Sequence, residues 1–198
     1  MVRIVNFNNQ ARRLNAGSLC INLTKQDFLN IARALEGEIP ISVEYIEINY
    51  EGYQTDFAGR SEYDCLDYGI NLNMQSGKVF GFIWGSEFTQ YGVSILRQPL
   101  QTELKECREV DVSKSTNWSN VVGSEIQRVE VVWQWVKESG FFKKKRYYPQ
   151  SVVLVFGSDK TVIISALEIS DSSYWGMADN IVVFFNQNSA RNYGVLNA

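Results

Sequence analysis

The stretch that most constrains the fold is Ser151-Val-Val-Leu-Val-Phe-Gly-Ser-Asp-Lys-Thr-Val-Ile-Ile-Ser165. Val152, Leu154 and Phe156 alternate, so one face of a strand carries all three. Gly157 to Lys160 supplies turn residues, and Thr161 to Ser165 reads as the returning strand. An echo stands earlier, in residues 70–84. At a shift of 82, Ile70, Leu72 and Met74 fall on Val152, Leu154 and Phe156, and Ser76 and Lys78 fall on Ser158 and Lys160. Ile46-Glu-Ile-Asn-Tyr50 likewise matches the start of Val129 to Trp135 at a shift of 83, a match that makes Glu47 equivalent to Glu130 and places both on a solvent face. The pattern predicts a mainly β, α+β fold. Its antiparallel sheet or sheets are built from two similar β-hairpin units, an internal duplication that pairs into one sheet or packs as a sandwich.

One helix is legible, at about residues 25–36. Thr24 is a good N-cap and Asp27, three residues on, completes a capping box with Asp in place of Glu or Gln. Leu23 and Phe28 occupy the staple positions, and Phe28, Leu29, Ile31, Ala32 and Leu35 form the apolar stripe. Gly37 suits the C′ position and Pro40 blocks continuation. Strands are expected over residues 42–50, in the hairpin of 69–84, and over 92–97, 129–135 and 181–185. A short helix ends at Gly194. Residues 99–124 carry the weakest pattern, with a strand or short helix over 100–110 and a helical turn over 116–122. They read as a packed connection inside a single compact domain, 1–198, with β-rich halves 1–98 and 116–198 sharing a core.

Composition narrows the chemistry. The chain of 198 residues contains no histidine, which removes the commonest general base near neutral pH and the commonest metal ligand. Cys20, Cys65 and Cys107 stand far apart with no CxxC pair, so neither a zinc cluster nor a disulfide framework is expected. The net charge of −3 is too mild to imply nucleic-acid binding. The N-terminus lacks a signal-peptide run, and no stretch approaches the roughly 18 apolar residues of a membrane helix. GxSxG, GxGxxG and Walker patterns are absent. The reading is a cytoplasmic protein with no cofactor, no metal and no assigned catalytic residue.

Two segments of opposite charge are the candidate contacts. Residues 51–68 hold Glu51, Asp56, Glu62, Asp64 and Asp67 against Arg60, a balance of −4. Residues 137–148 hold Lys137, Lys143, Lys144, Lys145 and Arg146 against Glu138, a balance of +4. Both are expected as loops, the first with its acids on the surface. Lys143 to Tyr148 interleaves cations with stackable rings, as a nucleic-acid site does, but four consecutive cations also protect an edge strand from aggregation, and the second reading is preferred. Trp133 and Trp135 share a strand face with Val129 and Val131, which is core patterning; the alternative is an aromatic platform for a ligand or partner. Tyr174 and Trp175 are expected on an exposed loop, Ser170 to Asp179, as aromatic anchors for a partner. Glu62, Asp64 and Asp67 do not meet the EF-hand pattern.

These readings together describe a non-enzymatic binding module whose partner is another protein. The profile resembles that of bacterial immunity proteins, which neutralise a toxin by covering its active site. That resemblance makes the acidic segment the contact for a basic nuclease surface. The alternatives are a carbohydrate or small-ligand binding protein, a hydrolase working on carboxylates alone, and a subunit that assembles with copies of itself.

Overall fold

The computed structural model describes residues 23–49, 62–88, 91–104, 106–137, 144–157, 160–170 and 173–196. Alternation produces strands as expected, and they form two antiparallel sheets of five. The first contains β1 (Pro40–Ile48), β3 (Gly69–Met74), β4 (Val79–Gly85), β5 (Gly92–Leu96) and β6 (Cys107–Asp111), in the order β5-β4-β3-β1-β6. The second contains β2 (Tyr63–Leu66), β7 (Ile126–Lys137), β8 (Lys145–Phe156), β9 (Thr161–Ser170) and β10 (Ser173–Phe184), in the order β2-β10-β9-β8-β7.

The two units share one register. Leu72 faces Phe80 and Asn73 faces Val79; 82 positions on, Leu154 faces Val162 and Val155 faces Thr161. The turn bond repeats too: Met74 N–H donates to the Lys78 carbonyl and Phe156 N–H to the Lys160 carbonyl, each at 2.8 Å. The preceding strand obeys a different shift from the one the sequence suggests. Val43 faces Leu72 and Val129 faces Leu154, so β1 maps onto β7 at 86, not 83. Glu130 is therefore the counterpart of Glu44. Glu47 is not a surface residue but fully buried. The two shifts differ by three, an odd number that reverses the face each residue takes, and only the hydrogen-bond ladder chooses between them.

Each unit is completed by a strand from elsewhere. β6, from the weakly patterned connection, pairs with β1, and β2, from inside the acidic segment, pairs with β10. The main core lies between the sheets and joins Val43, Tyr45, Leu72 and Phe82 of the first to Val152, Leu154, Ile164 and Val183 of the second. The outer faces have smaller cores. Leu100 and Leu104 cover Ile46 and Ile83, and α2 (Gln187–Asn192) with Val195 covers Val153, Ile163 and Leu167. Helix α1 (Lys25–Arg33) has the expected capping box, with Asp27 N–H donating to Thr24 Oγ1 and Thr24 N–H to Asp27 Oδ2. It is three residues shorter than expected at its end, because the chain tightens into a turn before Gly37, at φ 82°.

Tyr174 and Trp175 lie in strand β10 and not in a loop, and Lys145 to Tyr148 lie in β8. The sequence places turns there because serine, glycine and charge interrupt the apolar alternation. Cross-strand pairing carries both hairpins past that interruption.

Candidate functional site

The second sheet outgrows the first. Its four main strands are 12, 12, 10 and 12 residues long, while β3, β4 and β5 have 6, 7 and 5. The shared register ends where Gly69 faces Ile83 and Ser151 faces Ser165; beyond it β8 runs back to Lys145 and β9 runs on to Ser170. The rim of the first sheet rests near Pro149: a Cβ added to Gly92 would come within 3.3 Å of the Pro149 ring. Past that point the inward face of the second sheet continues without the first sheet above it.

A β-bulge decides which side chains stand on that face. Val132 faces Ser151 and Trp133 faces Pro149, so Gln150 is an extra residue on β8. Simple alternation from Val152 and Leu154 sends Gln150 and Tyr148 inward. The bulge reverses the parity and places Pro149, Tyr147 and Lys145 beside Trp133, Trp135 and Lys137. On the neighbouring hairpin, Glu168 follows inward-facing Ala166 by two residues and is paired with Trp175. Trp135, Tyr147, Lys145, Glu168 and Trp175 thus share one face of four adjacent strands.

Exposure marks this face. Four large hydrophobic residues are exposed among those described, and three are here: Trp135 at 43%, Tyr147 at 52% and Trp175 at 68%. The stripe grows out of the core. Trp133 packs edge-on against Phe28 and Phe88, with ring centroids 5.7 and 5.1 Å away, and Lys25 of α1 lies 4.7 Å from its ring. Two residues outward, Lys145 Nζ sits 4.1 Å from the Trp135 ring centroid. The opposite side of the extension is tied down. Tyr148 Oη donates to Gln150 Oε1 at 2.8 Å, and Gln150 Nε2 donates to the Ala166 carbonyl at 2.6 Å. Burial beside Tyr174 pushes the Tyr148 phenol up to about 12 and raises that of Tyr174 as well.

The sequence candidates therefore separate. Lys144, Lys145, Arg146 and Trp175 gather at the end of the second sheet, with Tyr174 on the reverse side against the outer core. Asp56 and Lys143 lie outside the described residues. Of the acids, Glu62 is exposed and accepts from Tyr193 Oη at 3.0 Å. Asp64 is buried on β2, where Tyr45 Oη donates to it at 2.6 Å and itself accepts from Trp118 Nε1 at 2.6 Å. Asp67 is half-buried, and its N–H points at Glu47 Oε2, 3.4 Å away.

Burial raises the carboxyls of Glu47, to about 8, and of Asp64; the neighbouring Asp67 charge adds to the first and the cross-strand Arg108 opposes it. These acids form no group able to hold a metal ion among the described residues. Two open clefts, of about 450 and about 570 Å³, are lined by other residues. The alternation from Val129 favours the core for Trp135 over an aromatic platform, and Tyr147 is legible only as one of the stackable rings among the cations of residues 143–148. The available signal was polar punctuation on the Trp133 face, since Lys137 follows Trp135 at the same two-residue spacing.

The chain matches no family model, no curated protein and no solved structure.

Proposed function

We propose that this protein is a non-enzymatic protein-binding module that docks its partner on the uncovered inward face of the second sheet. The single observation behind the reading is the gathering of Trp135, Tyr147 and Trp175 on that face. Exposed aromatic anchors within a rim of charge are what protein interfaces use, and a buried anchor is commonly worth about 2 kcal/mol or more. Lys137 and Lys145 stand beside the rings on that face, with Glu168 as the acid paired opposite Trp175. The partner is accordingly a protein surface with acidic groups around an apolar centre.

A protein is favoured over single-stranded nucleic acid by the Trp135 ring, because base stacking needs an open ring face and Lys145 lies over this one. The reading retains toxin neutralisation as a special case, with the basic and aromatic face as the contact in place of the acidic segment.

The test is affinity capture from the native host with the full chain and with the Trp135→Ala/Tyr147→Ala/Trp175→Ala variant, followed by calorimetric titration of the purified partner. The expected result is a loss of at least about 100-fold in affinity for the variant and weaker wild-type binding at high salt. Undiminished binding by the variant, or tighter wild-type binding to oligonucleotides than to any protein, overturns the proposal.

A further inference from the structure

Among the described residues the two sheets end in four edge strands, β5 and β6 on the first and β2 and β7 on the second. Three of them have 5, 5 and 4 residues, too short to offer much to another chain. β7 has 12. Its start is occupied. Ile126 N–H donates to the Glu38 carbonyl at 2.9 Å, Gly37 N–H to the Ile126 carbonyl at 2.8 Å, and Val129 N–H to Glu36 Oε1 at 3.0 Å. The chain that leaves α1 therefore closes this edge as far as Val129.

Beyond Val129 the edge is open. An antiparallel ladder turns the N–H and C=O of successive residues to opposite sides of the strand. Val129 directs its N–H away from β8, so Val131, Trp133, Trp135 and Lys137 do the same. Among the described residues no group bonds to these four backbone positions on that side. The usual protections of an edge are missing as well. Val131 to Val136 contains no charge and no proline, and the extra residue nearby, Gln150, belongs to β8. β-Branched and aromatic residues without charge are the composition with which strands add to strands.

The open stretch is complementary to itself. Val132-Trp133-Gln134-Trp135-Val136 reads the same in both directions, and its centre, Gln134, is also the midpoint of residues 131–137. Antiparallel pairing about a two-fold axis at Gln134 sets Trp133 of one copy opposite Trp135 of the other, Val132 opposite Val136, and Gln134 opposite Gln134. Aromatic meets aromatic, β-branched meets β-branched, and amide meets amide. The one charge in the stretch, Lys137, falls opposite Val131. A shift of register loses this match. A two-fold contact requires a patch that complements itself in this way.

We infer that the partner of this edge is a second copy of the chain, joined β7 to β7 about Gln134, so that two sheets of five strands become one continuous sheet. The pairing adds about eight backbone hydrogen bonds. Tyr147 and Trp175 stand on β8 and β10, away from this edge, so self-pairing and docking of another protein are separate events.

The test is sedimentation equilibrium of the full chain, with oxidative cross-linking to read the register. The expected result is a reversible dimer of the 22.6 kDa chain. Val131→Pro removes an edge-side N–H and no bond to β8, so circular dichroism is expected to report the same fold while dimer affinity falls at least about tenfold. Gln134→Lys sets two like charges face to face at the axis and weakens the dimer in the same direction. Facing residues of a non-hydrogen-bonded pair lie about 4.5 Å apart at Cα, within disulfide reach. Gln134→Cys is therefore expected to cross-link under mild oxidation, and Val132→Cys, which faces Val136, no more than the wild type. Tyr147→Ala/Trp175→Ala is expected to leave the dimer intact, which keeps this inference distinguishable from the docking face. A monomer at every concentration, an edge that pairs only with another protein, or unchanged affinity in Val131→Pro and Gln134→Lys overturns the inference. So does equal cross-linking of the two cysteine variants, or loss of the dimer in Tyr147→Ala/Trp175→Ala.

Discussion

Glu47 shows what one residue's surroundings do to its chemistry. It is a glutamate in an alternating strand, yet it has no solvent exposure and its Oε1 has no hydrogen-bond partner among the described residues. Holding it ionised there is costly, so its carboxyl is raised to about 8, first by burial and then by Asp67. The sign of the consequence follows. The unfolded chain gives up this proton near its ordinary value of 4.5, and the folded chain keeps it until about 8. Stability is therefore full below 4.5 and falls as pH rises towards 8. Asp64, raised by burial against its hydrogen bond from Tyr45, contributes with the same sign. Glu47→Gln keeps the shape and removes the ionisation. It is expected to raise stability by about 2–3 kcal/mol at pH 8.5 and to change little at pH 4.5. Calorimetric melting at the two pH values checks this; an equal shift at both contradicts it.

At the scale of elements, the extension of the second sheet depends on one bulge. Gln150 is fully buried, and its amide joins the Tyr148 hydroxyl on its own strand to the Ala166 carbonyl on β9. A Cβ added to Gly176 on β10 would lie 2.6 Å from Gln150 Oε1 and 2.9 Å from Tyr148 Oη, so three strands close on this one amide. Gln150→Leu leaves the Tyr148 hydroxyl and a buried carbonyl without their partner. It is expected to cost about 2–4 kcal/mol and to speed amide exchange in residues 166–170 more than in residues 161–165. Uniform exchange along β9 in the variant shows that the bulge does not hold the extension.

For the whole molecule, the two units are interlocked. β2 comes from the chain before β3 but forms the edge of the other sheet, where Tyr63 packs on Phe184 and Tyr193 with ring centroids 5.7 and 5.4 Å away. Its Asp64 accepts from Tyr45 of β1, so one short strand connects both sheets. Residues 116–198 expressed alone lose β2 and expose the β10 edge, a template for aggregation. The expected outcome is an aggregated or unfolded fragment that yields a soluble, dispersed NMR spectrum only when co-expressed with residues 1–115. A well-dispersed spectrum from either fragment alone contradicts the interlock.

Much of the fold was legible in the sequence, and the reason is local. The hairpin of residues 151–165 and its echo follow from period-two alternation and turn residues, and α1 follows from Thr24, Asp27 and its apolar stripe. These signals act within a few residues of one another, so no distant contact is needed to read them. The site was less legible. The inward face that is core at Val152 is the same face that is uncovered at Tyr147, and alternation has no term for where the opposing sheet stops. Pro149, beside the extra residue at Gln150, marks an interruption of the ladder but suits a strand start or edge as well as a bulge, so it does not reveal the reversal of parity. The burial of Glu47 and Asp64 and the transfer of β2 to the far sheet rest on contacts between residues far apart in the chain. Local pattern thus determined the central hairpins and α1, while β2, β6 and the outward ends of β8 and β10 became strands only through pairing with distant partners. Tertiary packing alone decided which of their faces is covered, because coverage depends on the length and position of a second sheet that the first does not encode.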